Sequence, residues 1–432
     1  MFSNLNAGFA RQQITPPIGT VMSGFIGRDR QMGCEEIHDD LFVRVLWLEQ
    51  EGTKFLIIGF DLLFFTRATI DRIKGILAFR YRILPENILI NTSHTHCGPK
   101  VDDWKYYPQS DLLYLDHLIK VTIHCVALAR QNAKPAEMFA AETHSRLPVS
   151  RRLPQNGKIE FKPNLYAPVC STLPVVLLRD KYQKPICLLF SVSCHPSTVH
   201  GFSISADYPG AAMEIIDRYL GANCSLFLQG TGGDSKACVI AENDNWLEGD
   251  WNDVLAAGQI VADEVIDCIE SFLMPIEPEL GAELREMSWP LQNLPQKEYL
   301  CDIINNGESE RSRLLWAGEI LEKIDRGFDL PKTVPVFLHG FRLAADVRLI
   351  GLEGEAVAEL GNIIVANSKN GITFPLGYCN GAQLYLITSK MVNEGGYEAE
   401  SYYEYRFPAP LATGMETILS LHLDYLNSNG IF

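Results

Sequence analysis

Buried-strand runs that stop abruptly at polar, chemistry-bearing stretches constrain this chain most. Ile88-Leu89-Ile90 reads as the end of a buried strand, and it runs directly into Asn-Thr-Ser-His-Thr-His-Cys-Gly-Pro at 91–99, where Gly98-Pro99 stops any continuation. Along a continuing strand His94 and His96 would face opposite ways. In a loop at the strand end both imidazoles can turn into one pocket, one to hold a metal and the other to face a substrate. The alternative for a bare His-x-His is a pair of loop histidines bonded to nearby backbone.

The pattern recurs. Leu41–Glu49 alternates as a strand, Lys54–Asp61 is a compact apolar run ending in a carboxylate, Ala68–Tyr81 has helical spacing, and Leu112–Asn132 reads as a long amphipathic helix. Ile186–Phe190 leads into Ser-Val-Ser-Cys-His-Pro at 191–196, so His195 also sits at a strand end, with Pro196 holding it extended. Alternating strand and helix predict an α/β protein whose site lies at strand ends. With 432 residues, 47% of them hydrophobic, the chain can bury one very large core or two to three ordinary ones. The proline- and charge-rich stretch at 275–335, with a helix near Ser312–Ile324, reads as an excursion or lid within one domain.

His94 and His195 make the beginning of a zinc site, since imidazole suits zinc and ligands of catalytic sites are often far apart in sequence. Asp207, in Ser-Ala-Asp-Tyr-Pro-Gly, is a helix cap or a partner to a ligand; His200 is an optional ligand in a loop. Gly230, Gly232 and Gly233 follow the strand at Ser225–Leu228 without phosphate-loop spacing, so they read as a place where backbone amides approach an oxyanion. Arg151 and Arg152 lie beside a turn at Gln155-Asn156-Gly157, where solvation is the ordinary reading and anchoring of a carbonyl or anion the other. Glu355 precedes a helix expected to begin near Ala356, and the helix dipole alone, at about 0.3–1 kcal/mol, explains a carboxylate there. Tyr378, Tyr385 and Tyr397 beside glycine turns fit an amphipathic rim.

Composition removes several partners. A net charge of −16 opposes binding to nucleic acid or an anionic membrane. Eleven cysteines without Cys-x-x-Cys spacing read as buried thiols in a reducing compartment. The first ten residues lack a secretory pattern and no apolar stretch is read as transmembrane, so a cytoplasmic location is expected.

Taken together, the motifs resemble the neutral (non-lysosomal) ceramidases. Ser-His-Thr-His-Cys-Gly-Pro at 93–99 is similar to that family's Thr-His-Thr-His-Ser-Gly-Pro. Cys194-His195-Pro196 resembles Val-His-Pro, Glu353-Gly354-Glu355 resembles Pro-Gly-Glu, Asn380–Tyr385 resembles Asn-x-Tyr-x-x-Tyr, and Tyr397-Glu398-Ala399 resembles Tyr-Glu-Ala, in the same order from Gly8 to about Tyr403. The resemblance implies mixed β-sheets flanked by helices in a single large catalytic domain spanning 1–432, without the family's C-terminal immunoglobulin-like domain. It implies Zn2+ held by His94, His195, Glu355 and Tyr385, with His96, Arg151 and Tyr397 beside a scissile amide. The implied partner is a small-molecule or lipid amide such as ceramide; oligomeric state is left open.

Departures bear on the substrate. Cys97 stands for a serine, Ala382 for the first tyrosine, and Gly233-Asp234-Ser235-Lys236-Ala237 for Gly-Asp-x-Ser-Pro, so lysine occupies the serine position. Other readings are a non-catalytic binding homologue, an esterase or phosphoesterase on the same metal site, and a thiol hydrolase built on Cys97 or Cys194.

Overall fold

Side chains on the central strands alternate between two apolar environments, and that alternation builds the layers. Val43, Val45 and Trp47 of strand Phe42–Gln50 enter one core, while Leu46 and Leu48 enter another. In the computed structural model, which describes residues 4–25, 28–29, 32–101, 112–306, 310–368 and 371–431, two large sheets therefore pack face to face between layers of helices. The core between the sheets joins Leu46, Ile57, Leu89, Val176 and Leu189 of one to Phe341, Leu349 and Phe374 of the other. This is the mixed α/β architecture expected from the sequence.

The larger sheet runs in the order Ser225–Gln229, Pro185–Val192, Thr172–Asp180, Lys134–His144, Leu5–Gln13, Phe42–Gln50, Thr53–Phe60, Ile88–Thr92. Its interior pairs are antiparallel, but each end is a parallel pair: Thr53–Phe60 with Ile88–Thr92, and Pro185–Val192 with Ser225–Gln229. A parallel pair needs a crossover, here the helices Arg67–Tyr81 and Asp207–Leu220. The first is capped by Thr66 and ends at Arg82, whose φ of 54° is left-handed. Helix Leu112–Gln131 is, among the described residues, the one helix long and apolar enough to cross a membrane, against the expectation of none. Its Leu118, Cys125, Val126 and Ala129 are buried on the sheet and Tyr114 donates to Ile14 O, which accounts for the apolar face as core packing.

The second sheet pairs Pro278–Pro290 with Thr333–Ala344, then Val347–Leu352 and, in parallel, Ile372–Leu376. The start of the expected excursion is thus a full-length sheet strand; the excursion proper is the helical pair Lys297–Asn306 and Arg311–Asp325. A further difference lies at Glu355. The helix begins at Ala358, and Glu355-Ala356 forms a two-residue parallel bridge with Tyr385-Leu386 in the register Glu355 to Tyr385.

The two end strands of the large sheet converge on Asn91, which is fully buried. Its amide nitrogen donates to Gly377 O at 2.8 Å and Gln229 O at 3.3 Å, and its amide oxygen accepts from Gln229 N at 2.8 Å. One side chain therefore ties both sheet ends to the segment following Ile372–Leu376. Asn380 adds a second tie: its N–H donates to Ile90 O at 2.7 Å, its Oδ1 accepts from Ile90 N, and its Nδ2 donates to His339 Nδ1 at 3.0 Å. His339 in turn donates from Nε2 to Glu86 O at 2.7 Å.

Asn91→Ala strands the Gln229 N–H and two carbonyls in a dry interior at about 1–3 kcal/mol for each group left unpaired. Urea unfolding should show a loss of about 3 kcal/mol; a loss below about 1 kcal/mol would remove the tie from the account. His339 is held neutral, its pKa pulled down to about 3, by burial first and Lys74 second. Its folded value lies below the unfolded one, so its contribution to stability is complete above about pH 6.5 and is lost as pH falls toward about 3. The stability of His339→Gln should consequently depend less steeply on pH than wild type between pH 6 and 4, by up to about 1.4 kcal/mol per pH unit.

Candidate metal centre

The two predicted histidine ligands stand just beyond strand ends, as the sequence pattern requires, while Glu355 and Tyr385 face each other across the two-residue bridge. His94 follows Ile88–Thr92 and has a φ of 65°, a left-handed conformation unusual for a side chain of this size. That turn is held by His94 N donating to Leu62 O at 2.9 Å and aims the imidazole inward. His195 follows Pro185–Val192, its N–H donating to Ser235 O at 3.1 Å. The two histidine loops are joined directly, because His96 N donates to Pro196 O at 3.0 Å.

The imidazoles are oriented by their outer nitrogens. His94 Nδ1 donates to Leu63 O at 3.1 Å and His195 Nδ1 to Gly232 O at 2.7 Å, so both present Nε2 lone pairs inward. Those Nε2 atoms are 3.2 Å apart; His96 Nε2 is 3.3 Å from that of His94; Glu355 Oε2 is 3.2 Å from His94 Nε2 and 3.5 Å from His195 Nε2. His94, His195 and Glu355 are each no more than 2% exposed.

The electrostatics match a cation's donors. Burial and the neighbouring histidines hold His96 neutral, and burial and Arg151 bring His195 to about 4. Burial pushes the Glu355 carboxyl up, but His94 and His195 outweigh it and keep the group ionised. Imidazole nitrogens and a carboxylate oxygen converging on one point are a donor set that zinc accepts, so the residues fit the ion the motifs imply.

Around this cluster the expected residues separate. Arg151 Nη1 lies 3.5 Å from His195 Nε2 and Nη2 donates to Tyr385 Oη at 3.0 Å, so the Tyr385 hydroxyl is joined to the cluster through the guanidinium. Arg151 and Arg152 are not a solvated surface: both are buried and share Glu398, at 2.8 and 2.6 Å. Tyr397 lines the pocket above the cluster, but its hydroxyl donates to Glu404 at 3.4 Å. His200 is exposed at the mouth, stacked on Phe25 with ring centroids 3.6 Å apart, and stands outside the histidine cluster.

The glycine loop works differently from the oxyanion reading. Gly230 N donates to Val192 O and Gly233 N to Ala356 O, so those amides are already used. A side chain at Gly232 would strike Cys194 N at 2.5 Å, and one at Gly230 would meet Ser193 Oγ at 2.3 Å. The glycines let the loop lie against 193–195 and bring a carbonyl to His195. Asp234 accepts from Ala358 N at 2.8 Å and so caps the helix behind Glu355, while Asp207, the first residue of its helix, accepts from Thr198 N and Oγ1.

Four residues went unassigned in the sequence. Tyr405 donates to Glu355 Oε1, Tyr378 stands 3.5 Å from Glu355 Oε2, and Glu398 bridges the two arginines. Asn91 fixes the base. No local pattern singles out Tyr405 or Tyr378; Glu398 was visible only as the residue after Tyr397.

No protein-family model matches the sequence, and no curated protein matches it. Solved structures do. A neutral ceramidase from Pseudomonas aeruginosa superposes with a TM-score of 0.73 over 99% of this chain and 74% of its own, at 14% identity. A ceramidase complexed with C2 gives 0.74, covering 99% and 75%, also at 14% identity. The fold is that of the neutral ceramidases. The sequence resemblance is thereby matched by three-dimensional likeness across nearly the whole chain, despite sparse identity.

The geometry makes His94→Ala, His195→Ala and Glu355→Gln each lose bound metal, measured as metal per chain after dialysis. His96→Ala distinguishes ligand sets: retention of about one ion per chain fits a site of His94, His195 and Glu355, whereas loss would make the third imidazole a ligand.

Proposed function

We propose that this chain is a zinc-dependent amidohydrolase that cleaves an N-acyl amide, such as ceramide or a related lipid, with water. The observation that carries the reading is the convergence of His94 Nε2, His195 Nε2 and Glu355 Oε2 within 3.5 Å, under a pocket of about 330 Å³ lined by Arg151, Tyr385 and Tyr397. The shared ceramidase fold supports it. In this proposal residues 1–432 act as one domain, and the eleven unpaired cysteines support a cytoplasmic location.

His94, His195 and Glu355, with Tyr385, would hold the ion. Zinc bound there would polarise the amide carbonyl and bring the pKa of water toward roughly 7. The side chains supply the rest. As water oxygen bonds to the carbonyl carbon, negative charge grows on the carbonyl oxygen, and Arg151, kept charged by Tyr385 and Glu398 despite burial, stands beside it as a fixed donor. His96 is neutral and has a lone pair available, so it accepts the water proton and returns it to the amine nitrogen as the C–N bond breaks. Tyr378 and Tyr405 hold the orientation of Glu355.

A thiol mechanism is disfavoured. Burial raises Cys97 to about 12 and Cys194 well above the usual thiol range, which leaves neither a thiolate at neutral pH.

Purified protein should hydrolyse members of an N-acyl amide panel, and chelator should abolish turnover until zinc is restored. Arg151→Ala should lower kcat about 100- to 1,000-fold and His96→Ala about 100- to 10,000-fold. Turnover of an ester with none of the matched amide would replace amidase by esterase; full activity in chelator would end the metal reading.

A further inference from the structure

Lys236 carries a charge that the proposed hydrolysis does not use. It stands on the short strand Ser235–Ala237, opposite Val149 in Pro148–Gln155, two positions from Arg151 on the partner strand. Although only 6% exposed, it lines the same pocket as His96, Arg151 and Tyr385. Among the described residues its ammonium has no hydrogen bond and no ion pair. Its neighbours are aromatic faces, with Nζ 5.9 Å from the centroid of Phe161 and 5.3 Å from that of Trp246. Such faces favour a cation without neutralising it.

The surrounding charges leave it unbalanced. Arg151 and Arg152 share Glu398, so that carboxylate is committed. Asp207 feels Lys236 at a distance, but its oxygens accept from Thr198 N, Thr198 Oγ1 and Tyr208 N. Among the described residues no Asp or Glu lines the pocket, whereas the Arg151 guanidinium and the Lys236 ammonium both do. A basic pocket in a chain of net charge −16 is a local arrangement and not a reflection of composition. An ammonium that faces a pocket without a carboxylate partner is placed to take an anion that enters it. Lysine also stands at the position where the resembling motif has serine, a departure that adds a cation to the pocket wall. Burial and Arg151 draw its pKa down to about 8, so it remains mostly protonated at pH 7.

We propose that Lys236 forms a carboxylate-binding subsite beside the metal cluster, and that the preferred substrates are amides bearing a carboxylate a few bonds from the scissile carbonyl, as N-acyl amino acids do. The substrate assignment rests on the amidase reading above; the subsite itself does not. The aromatic walls from Phe25, Phe161 and Tyr397 would cover the acyl portion, with the carboxylate drawn toward Nζ by a charge-assisted hydrogen bond.

The test separates binding from turnover. The binding probes are the ketone isostere of N-octanoylglycine, in which a methylene replaces the scissile N–H, and the neutral primary amide of that same ketone. Calorimetry on the full chain should give at least about tenfold tighter binding of the carboxylate compound. Lys236→Met and Lys236→Gln should each bring that preference within about twofold, while Lys236→Arg keeps part of it; circular dichroism on all three guards against a folding defect. In parallel, kcat/KM is measured for N-octanoylglycine and N-octanoylethanolamine, and the ratio should favour the carboxylate in wild type and collapse with Lys236→Met. Equal affinity for the two ketones in wild type, or a preference that survives both neutral variants, overturns the subsite. Absence of turnover for every amide, with the binding preference intact, removes the amidase reading and leaves the subsite standing.

Discussion

The structure depends on closing a sheet whose two ends must meet without exposing their backbone. Asn91 does this with one amide, giving to the Gln229 and Gly377 carbonyls and taking from the Gln229 N–H. Inside a dry core each of those groups would otherwise lack water and partner alike. Once the ends are joined, the loops beyond them have little choice of position: the histidine loop after Thr92 and the one after Val192 lie side by side. The segment after Leu376 arrives with Tyr378 and Tyr385. Three distant parts of the chain share a floor because one polar side chain spans the seam.

Above that floor, close packing and charge balance shape the site. The glycines at 230–233 allow the loop to lie against Ser193 and Cys194, which places the Gly232 carbonyl on His195 Nδ1 and fixes which nitrogen faces inward. Left-handed backbone occurs here too, at His94, Asp207, Tyr378 and Asn380. The charged groups fall in tiers: Glu355 beside the imidazoles, Glu398 and Glu394 against two arginines, and Lys236 against nothing the described residues provide. The first tier suits a cation and the last an anion.

Much of this was legible in the sequence, because strands and helices of this length announce themselves by period. His94, His96 and His195 stood out since each follows an apolar run. Glu355 and Tyr385 did not: they meet through a two-residue parallel bridge, too short to leave a periodic trace, and only resemblance to ceramidase motifs selected them. Arg151 and Arg152 read as surface because a polar turn follows them, yet Glu398, almost 250 positions away, buries both. The glycine loop misled in the same manner. Its composition fits amides that contact a ligand, and only its neighbours reveal that the amides are already bonded.

The central claim is a single divalent ion held by two imidazoles, a carboxylate and the Tyr385 phenol. X-ray absorption at the zinc edge on the purified protein tests it directly. The account predicts about one zinc per chain with nitrogen and oxygen neighbours only, at about 2.0–2.2 Å. Zinc with sulfur neighbours at about 2.3 Å would move the ion to the cysteines, and absence of any bound divalent metal after zinc supplementation would contradict the account outright.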